Sequence, residues 1–142
     1  MTMTGLESFD TTVQKTDVWL KEIMHGLGWD DRRLAYSALR SVLHTLRDRL
    51  TIDEAASMAA QLPMLVRGLF YDTWDPSGVP QRYRSKERFL EEVHHRFGPN
   101  VQIDPEQMTR VVFNVVNAHL TEGEVDKVRA VLPDDILHLW PK

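Results

Sequence analysis

Six histidines and a run of arginines are the side chains in this sequence with the most chemistry to offer. His44 and Asp48 stand four residues apart, the spacing that puts two metal ligands on one helix face. His94 and His95 are adjacent, so on a helix they point roughly 100° apart and cannot easily share an ion. No HExxH and no Glu-x-x-His di-iron pattern occurs, which leaves a metal site without a motif. The expectation is structural histidines, with no metal and no cofactor.

Arg32, Arg33, Arg40, Arg47 and Arg49 crowd one segment, with Arg67 further on. Such a face could hold a phosphate or an acidic partner. Asp30, Asp31, Asp48, Asp53 and Glu54 lie among them and point instead to a solvated face or internal ion pairs. Arg40 and Arg110 sit amid apolar neighbours, so each is expected to pair with a glutamate of its own half (Glu22 or Glu92, Glu54 or Glu124) as a register-setting contact. Catalysis has less support. There is no nucleophile elbow, no glycine-rich phosphate loop and no cysteine, and most carboxylates stand at helix starts, where capping explains them. The expectation is a protein that is not an enzyme.

The elements that must position these side chains read as helices throughout. Val13, Leu20, Ile23, Met24 and Leu27 form one apolar stripe that stops at Gly28, a left-handed cap position. Asp30 or Asp31 then caps a helix carrying Ala35, Leu39, Val42, Leu43, Leu46 and Leu50. Thr51 and Glu54 have capping-box spacing, and Pro63 breaks the short helix that follows and opens the next. Pro76, Gly78 and Pro80 make residues 75–84 a loop, and Ser85 caps what comes after. Phe89, Leu90, Val93 and Phe97 stop at Gly98. Asp104 and Pro105 start a stripe of Met108, Val111, Val112, Val115, Val116 and Leu120. Thr121 and Glu124 repeat the capping box, and Leu132-Pro133 precedes a last segment with Ile136, Leu139 and Trp140.

Shifting the chain by 70 residues aligns its two halves without a gap, giving thirteen identities between positions 19–70 and 89–140. They include His25 with His95, Gly28 with Gly98, Arg40 with Arg110, Thr51 with Thr121, Glu54 with Glu124 and Leu62-Pro63 with Leu132-Pro133. These are caps, breakers and core positions, the residues that decide where helices start, stop and pack. The reading is an all-α bundle of about eight helices, built from two tandem four-helix repeats. One domain, 1–142, comprises repeat one at 9–74, a linker at 75–84 and repeat two at 85–142. Two copies are too few for an open solenoid, so a closed, two-fold-like bundle with one fused core is expected.

At 142 residues the chain can bury a core without a metal or disulfide staple. Its 42% hydrophobic and 27% charged content is that of a globular protein. The net charge of −4 disfavours general nucleic-acid binding. Residues 1–10 lack a secretory signal, and no stretch reaches the roughly 20 apolar residues of a membrane span. A soluble, cytoplasmic protein is expected.

Three stretches carry a likeness: LRSVLHTLRDRLT from Leu39 to Thr51, Glu54-Ala55-Ala56, and AQLPMLVRGLFY from Ala60 to Tyr71. With these the sequence resembles the bacterial domain-of-unknown-function family numbered 2267. Trp74 and the start at Phe89 fit as well, so nearly the whole chain from Phe9 onward is covered. The resemblance implies a small helical bacterial protein and carries no activity with it.

Two places stand out as candidate sites. The linker segment brings Tyr71, Trp74, Arg82 and Tyr83 beside prolines, and aromatic and arginine side chains are favoured at the centres of interfaces. The plainer reading of Tyr71 and Trp74 is that they cover the junction of the halves. A polar site between the repeats would draw on His25, His95, Arg40 and Arg110. The leading expectation is a non-enzymatic interaction or adaptor module of the bacterial cytoplasm, with another protein as partner, and a homo-oligomer is compatible with it. The alternative is a helical bundle binding a small ligand or metal between its repeats.

Overall fold

The computed structural model describes residues 3–142. It contains eight α-helices and, among the described residues, no strand. In chain order they are α1 (Glu7–Leu27), α2 (Arg32–Arg49), α3 (Ile52–Ala59), α4 (Met64–Tyr71), α5 (Lys86–Phe97), α6 (Pro105–His119), α7 (Glu122–Val131) and α8 (Asp134–Leu137). A single 3₁₀ turn, Pro76–Gly78, interrupts the linker.

The helix ends follow the local chemistry. Gly28 adopts φ 69°, ψ 29°, the left-handed conformation that glycine takes without a Cβ penalty, and closes α1. Asp31 accepts from the Arg33 N–H to start α2. At α3, Thr51 Oγ1 accepts from the Glu54 N–H at 3.2 Å while Glu54 Oε1 accepts from the Thr51 N–H at 2.9 Å, a complete capping box. Asp104 accepts from two first-turn N–H groups of α6, with Pro105 at the first helical position.

The second capping box is only half formed, which departs from the expectation. Thr121 accepts from the Glu124 N–H at 3.3 Å, but the Glu124 carboxylate accepts from Ser57 Oγ on α3 at 2.8 Å. Gln61 Oε1 takes the Thr121 N–H in its place at 3.0 Å. The cause is packing: α3 lies against α7, which buries Glu124 and puts Ser57 nearer than its own helix start.

Helices on either side of the linker pack on one another. α1 rests on α2, α4 and α6, and α2 on α4, α5 and α6; α5 also touches α6 and α8. Buried side chains from both halves form one cluster, including Trp19, Ile23, Leu39, Val42, Leu43 and Phe70 from the first, and Phe89, Val93, Val112, Phe113, Ile136 and Trp140 from the second. The α1–α6 crossing is close because Gly26 has no side chain. A Cβ there would lie 2.6 Å from Val111 Cγ1.

Position 96 lies 70 residues beyond Gly26, and at the α5–α2 crossing that place is taken by Arg96. One Arg96 Nη donates to Asp48 at 2.7 Å and the other to Thr45 Oγ1 at 3.2 Å. At this paired position one crossing is thus apolar and tight, and the other is ionic.

Candidate functional site

The linker aromatics are held by internal contacts. Tyr71 packs on Trp74 with ring centroids 5.3 Å apart, and the Trp74 N–H donates to the Tyr71 carbonyl. Tyr83 lies between two guanidinium groups, those of Arg49 and Arg88, at 6.0 and 5.4 Å from its ring centroid. Burial pushes its phenol up to about 12. Trp74 Nε1 and Tyr83 Oη are buried without a hydrogen-bond partner among the described residues, while Arg82 is exposed. Tyr71 and Trp74 pack against the core, as a cover over the junction would.

His25, His95, Arg40 and Arg110 are not joined by any hydrogen bond, ion pair or common cavity among the described residues. His25 and His95 are exposed, with His25 at the α1–α6 crevice. Arg40 meets Asp72 at 3.8 Å. Arg110 donates to Glu106 at 2.9–3.0 Å and to the His138 carbonyl at 2.7 Å. The anticipated glutamate partners are engaged elsewhere: Glu22 with His119, Glu92 with Arg88, Glu54 with its own cap and Glu124 with Ser57. Spacing along the chain placed these groups on the right helices but could not say which neighbour each would reach.

The main polar cluster runs along α2. Arg47, only 3% exposed, donates through one Nη to the carbonyls of Phe70 and Asp72, and through Nε to Asp48 at 2.8 Å. Asp48 also receives Arg96, and its own carbonyl accepts from the Gln81 N–H. Arg49 Nε donates to the Tyr83 carbonyl at 2.7 Å. His44 lies 2.7 Å from the Leu69 carbonyl through Nε2, and burial, reinforced by the charges of Arg47, Arg40 and Arg96, lowers its pKa to about 4. At neutral pH it is therefore an uncharged imidazole donating to that carbonyl. The acceptors here are backbone carbonyls, the paired Asp48 carboxylate and the Thr45 hydroxyl, so the cluster clamps the linker and α5 onto α2. Among the described residues no three His, Asp or Glu side chains come together as metal ligands.

The most site-like feature is an apolar groove of about 740 Å³ between α1, the start of α2 and α4. Phe9, Thr12, Val13, Thr16 and Leu20 line it along α1, with Tyr36, Met64 and Leu65 opposite. Met64 and Leu65 are 53% and 48% exposed, and Phe9 and Tyr36 are close behind. Asp10 accepts from the N–H groups of Met3 and Thr4 and folds the preceding chain back, which brings Thr4 to the rim.

This groove was missed in reading the sequence, yet a signal for it was present. Residues 70 positions beyond Leu34, Tyr36, Ile52, Met64 and Leu65 are Asp104, Glu106, Glu122, Asp134 and Asp135. Leu34, Ile52, Met64 and Leu65 stand in the first turn of a helix, where an acid is favoured by the helix dipole and where the other half carries one; of these, Met64 and Leu65 line the groove, opposite Tyr36 in the second turn of α2.

The fold and this surface define an all-helical protein with an open apolar groove and no recognisable catalytic constellation among the described residues. The chain belongs to the family described as "Uncharacterized conserved protein (DUF2267)", whose model matches residues 16–139. No curated protein matches it. Among the described residues no helix is long and apolar enough to cross a membrane.

Proposed function

We propose that this chain is a non-enzymatic protein-interaction module of the bacterial cytoplasm, and that its docking surface is the α1–α4 groove. The observation that carries this reading is that apolar Met64 and Leu65, facing Tyr36 across the groove, stand at the start of α4 where acids stand at the start of α8. The same helix starts elsewhere in the chain are acidic, so the fold itself does not require exposed apolar side chains there. Holding them in water gives up about 0.3–1 kcal/mol of dipole stabilisation per position, which a bound partner would offset.

The occupant that fits is an amphipathic helix of another protein. The groove walls are helices whose backbone groups are already satisfied, so they offer no edge for strand addition, whereas a helix brings its own hydrogen bonds. From Phe9 to Leu20 the α1 wall is about 16 Å long at 1.5 Å per residue, room for three turns of a partner.

The frame behind the groove is, in this reading, a duplicated unit closed about a two-fold-like axis. Matching boundaries support it: α1 and α5 end at 27 and 97, α3 and α7 start at 52 and 122, and α4 and α8 start at 64 and 134. The contacts support it too, since α1 with α6 exchanges for α5 with α2 when the halves are swapped, while α3 with α7 and α2 with α6 map onto themselves.

A photo-crosslinker at Tyr36 tests the docking surface in cells. It should trap one protein that also co-purifies reciprocally with this chain. Leu65→Asp, the residue found at 135, should abolish capture without lowering the thermal melt. Equal capture by Leu65→Asp, or turnover by the purified protein that a point mutation removes, would overturn the reading.

A further inference from the structure

A second cavity, of about 500 Å³, lies on the other side of α1, where the α3–α4 corner meets the end of α6. Its polar lining is basic or amide: Lys15, Gln61, Arg67 and His119. Among the described residues neither Lys15 nor Arg67 reaches a carboxylate. Arg67 spends Nε and one Nη on the carbonyls of Ala59, Ala60 and Leu62, which leaves its other Nη unengaged. Gln61 uses only its oxygen, for Thr121, so its amide NH₂ is unengaged as well. His119 stacks on Trp19 at 4.8 Å and meets Glu22 at 3.0 Å, the one carboxylate bonded to the lining among the described residues. The first turn of α4 has no acid and no N-cap side chain, and Thr12 Oγ1 takes only the Leu65 N–H.

Seventy residues on, the same corner is built with the opposite charge. Met64 and Leu65 correspond to Asp134 and Asp135, and the Asp135 carboxylate accepts from the Lys86 N–H at 2.6 Å. Arg67, Gln61 and Lys15 correspond to Leu137, Val131 and Ser85. Arg49 stands where His119 does and is turned to Tyr83. One corner therefore supplies its own carboxylates, while the other has none there and carries bases instead. Exposed Val18 and Met64, with Pro63, add an apolar wall beside those bases.

We propose that this pocket binds a small organic carboxylate with an apolar body. Its head lies among Lys15, Arg67 and the Gln61 amide, and its body lies against Val18, Pro63 and Met64. The site shares Met64 with the helix groove, but Lys15, Gln61 and Arg67, which would hold the head, lie outside that groove.

The test is a titration of the ¹⁵N-labelled full chain at constant ionic strength, in parallel arms, with benzoate, acetate and inorganic phosphate. Benzoate should give saturable shifts centred on Met64, the Gln61 side-chain amide and the Trp19 indole. Acetate should bind more weakly through the head alone, and phosphate should not match benzoate. Lys15→Gln, at an exposed position, should weaken benzoate roughly tenfold, and Lys127→Gln should not. Met64→Asp, which restores the acid found at 134, should abolish binding in a folded protein. Unsaturable shifts, equal affinity for all three anions, or an unaltered Lys15→Gln would overturn the assignment.

Discussion

Replacing Gly26 with alanine would set a Cβ 2.6 Å from Val111 Cγ1, where two carbons in contact rest roughly 3.5–4.0 Å apart. Val111 cannot swing aside cheaply, because a β-branched residue in a helix holds essentially one χ1 rotamer. The helices must therefore separate, and overpacking of this kind costs about 1–3 kcal/mol. Alanine returns up to about 1 kcal/mol of helix propensity. The net expectation is a loss of about 1–2 kcal/mol, or a fall in Tm of roughly 3–8 °C for a chain of this size. Urea unfolding and thermal melts followed by circular dichroism would measure it. Val111→Ala in the same background should relieve the clash, so the double mutant should be more stable than the sum of the singles by at least about 1 kcal/mol. A Gly26→Ala protein as stable as the parent, or a cycle that is simply additive, would refute the close-crossing account.

Asp48→Asn leaves the buried Arg47 without a counter-charge and should cost about 3 kcal/mol; a urea midpoint close to the parent's would contradict the clamp. His44 is held at about 4 in the fold against an ordinary value of 6.5, so the unfolded chain binds the extra proton between those values. Stability should be full above pH 6.5 and fall on the order of 3 kcal/mol by pH 4. His44→Gln, which keeps the donor to Leu69, should remove that part of the slope in pH-dependent unfolding. Met64→Asp places an acid in the first turn of α4 and should be up to about 1 kcal/mol more stable at low salt; a clear loss of stability would show that Met64 contributes to the fold.

The helix ends were legible in the sequence because their causes are local. Gly28, Asp31, Thr51 with Glu54, Pro63 and Asp104 each act within four residues of where they stand, and each does what its type and spacing indicate. What lies across helices was not legible. Glu124 has the spacing of a capping box, but Ser57 on a packed neighbour wins its carboxylate. Arg40 and Arg110 look alike in the alignment, yet one reaches Asp72 beyond the end of α4 and the other Glu106 one turn back. The groove and the basic pocket were hidden because they are defined by differences between aligned positions, whereas the alignment draws the eye to its identities. Asp134 and Asp135 opposite Met64 and Leu65 become informative only once burial shows that these positions face solvent.

The crossing of α1 with α6 and of α5 with α2 has a further consequence. Residues 75–84 join two sets of helices that also pack on one another across that join, so the linker, besides being clamped to α2, tethers them. It holds the sets at an effective concentration in the millimolar range, and the melting temperature of the intact chain should not vary with protein concentration. Cut within the tether, the same contacts become a bimolecular association that dilution dissolves. In a concentrated solution two intact chains can trade halves and form a dimer whose core is the monomer's own.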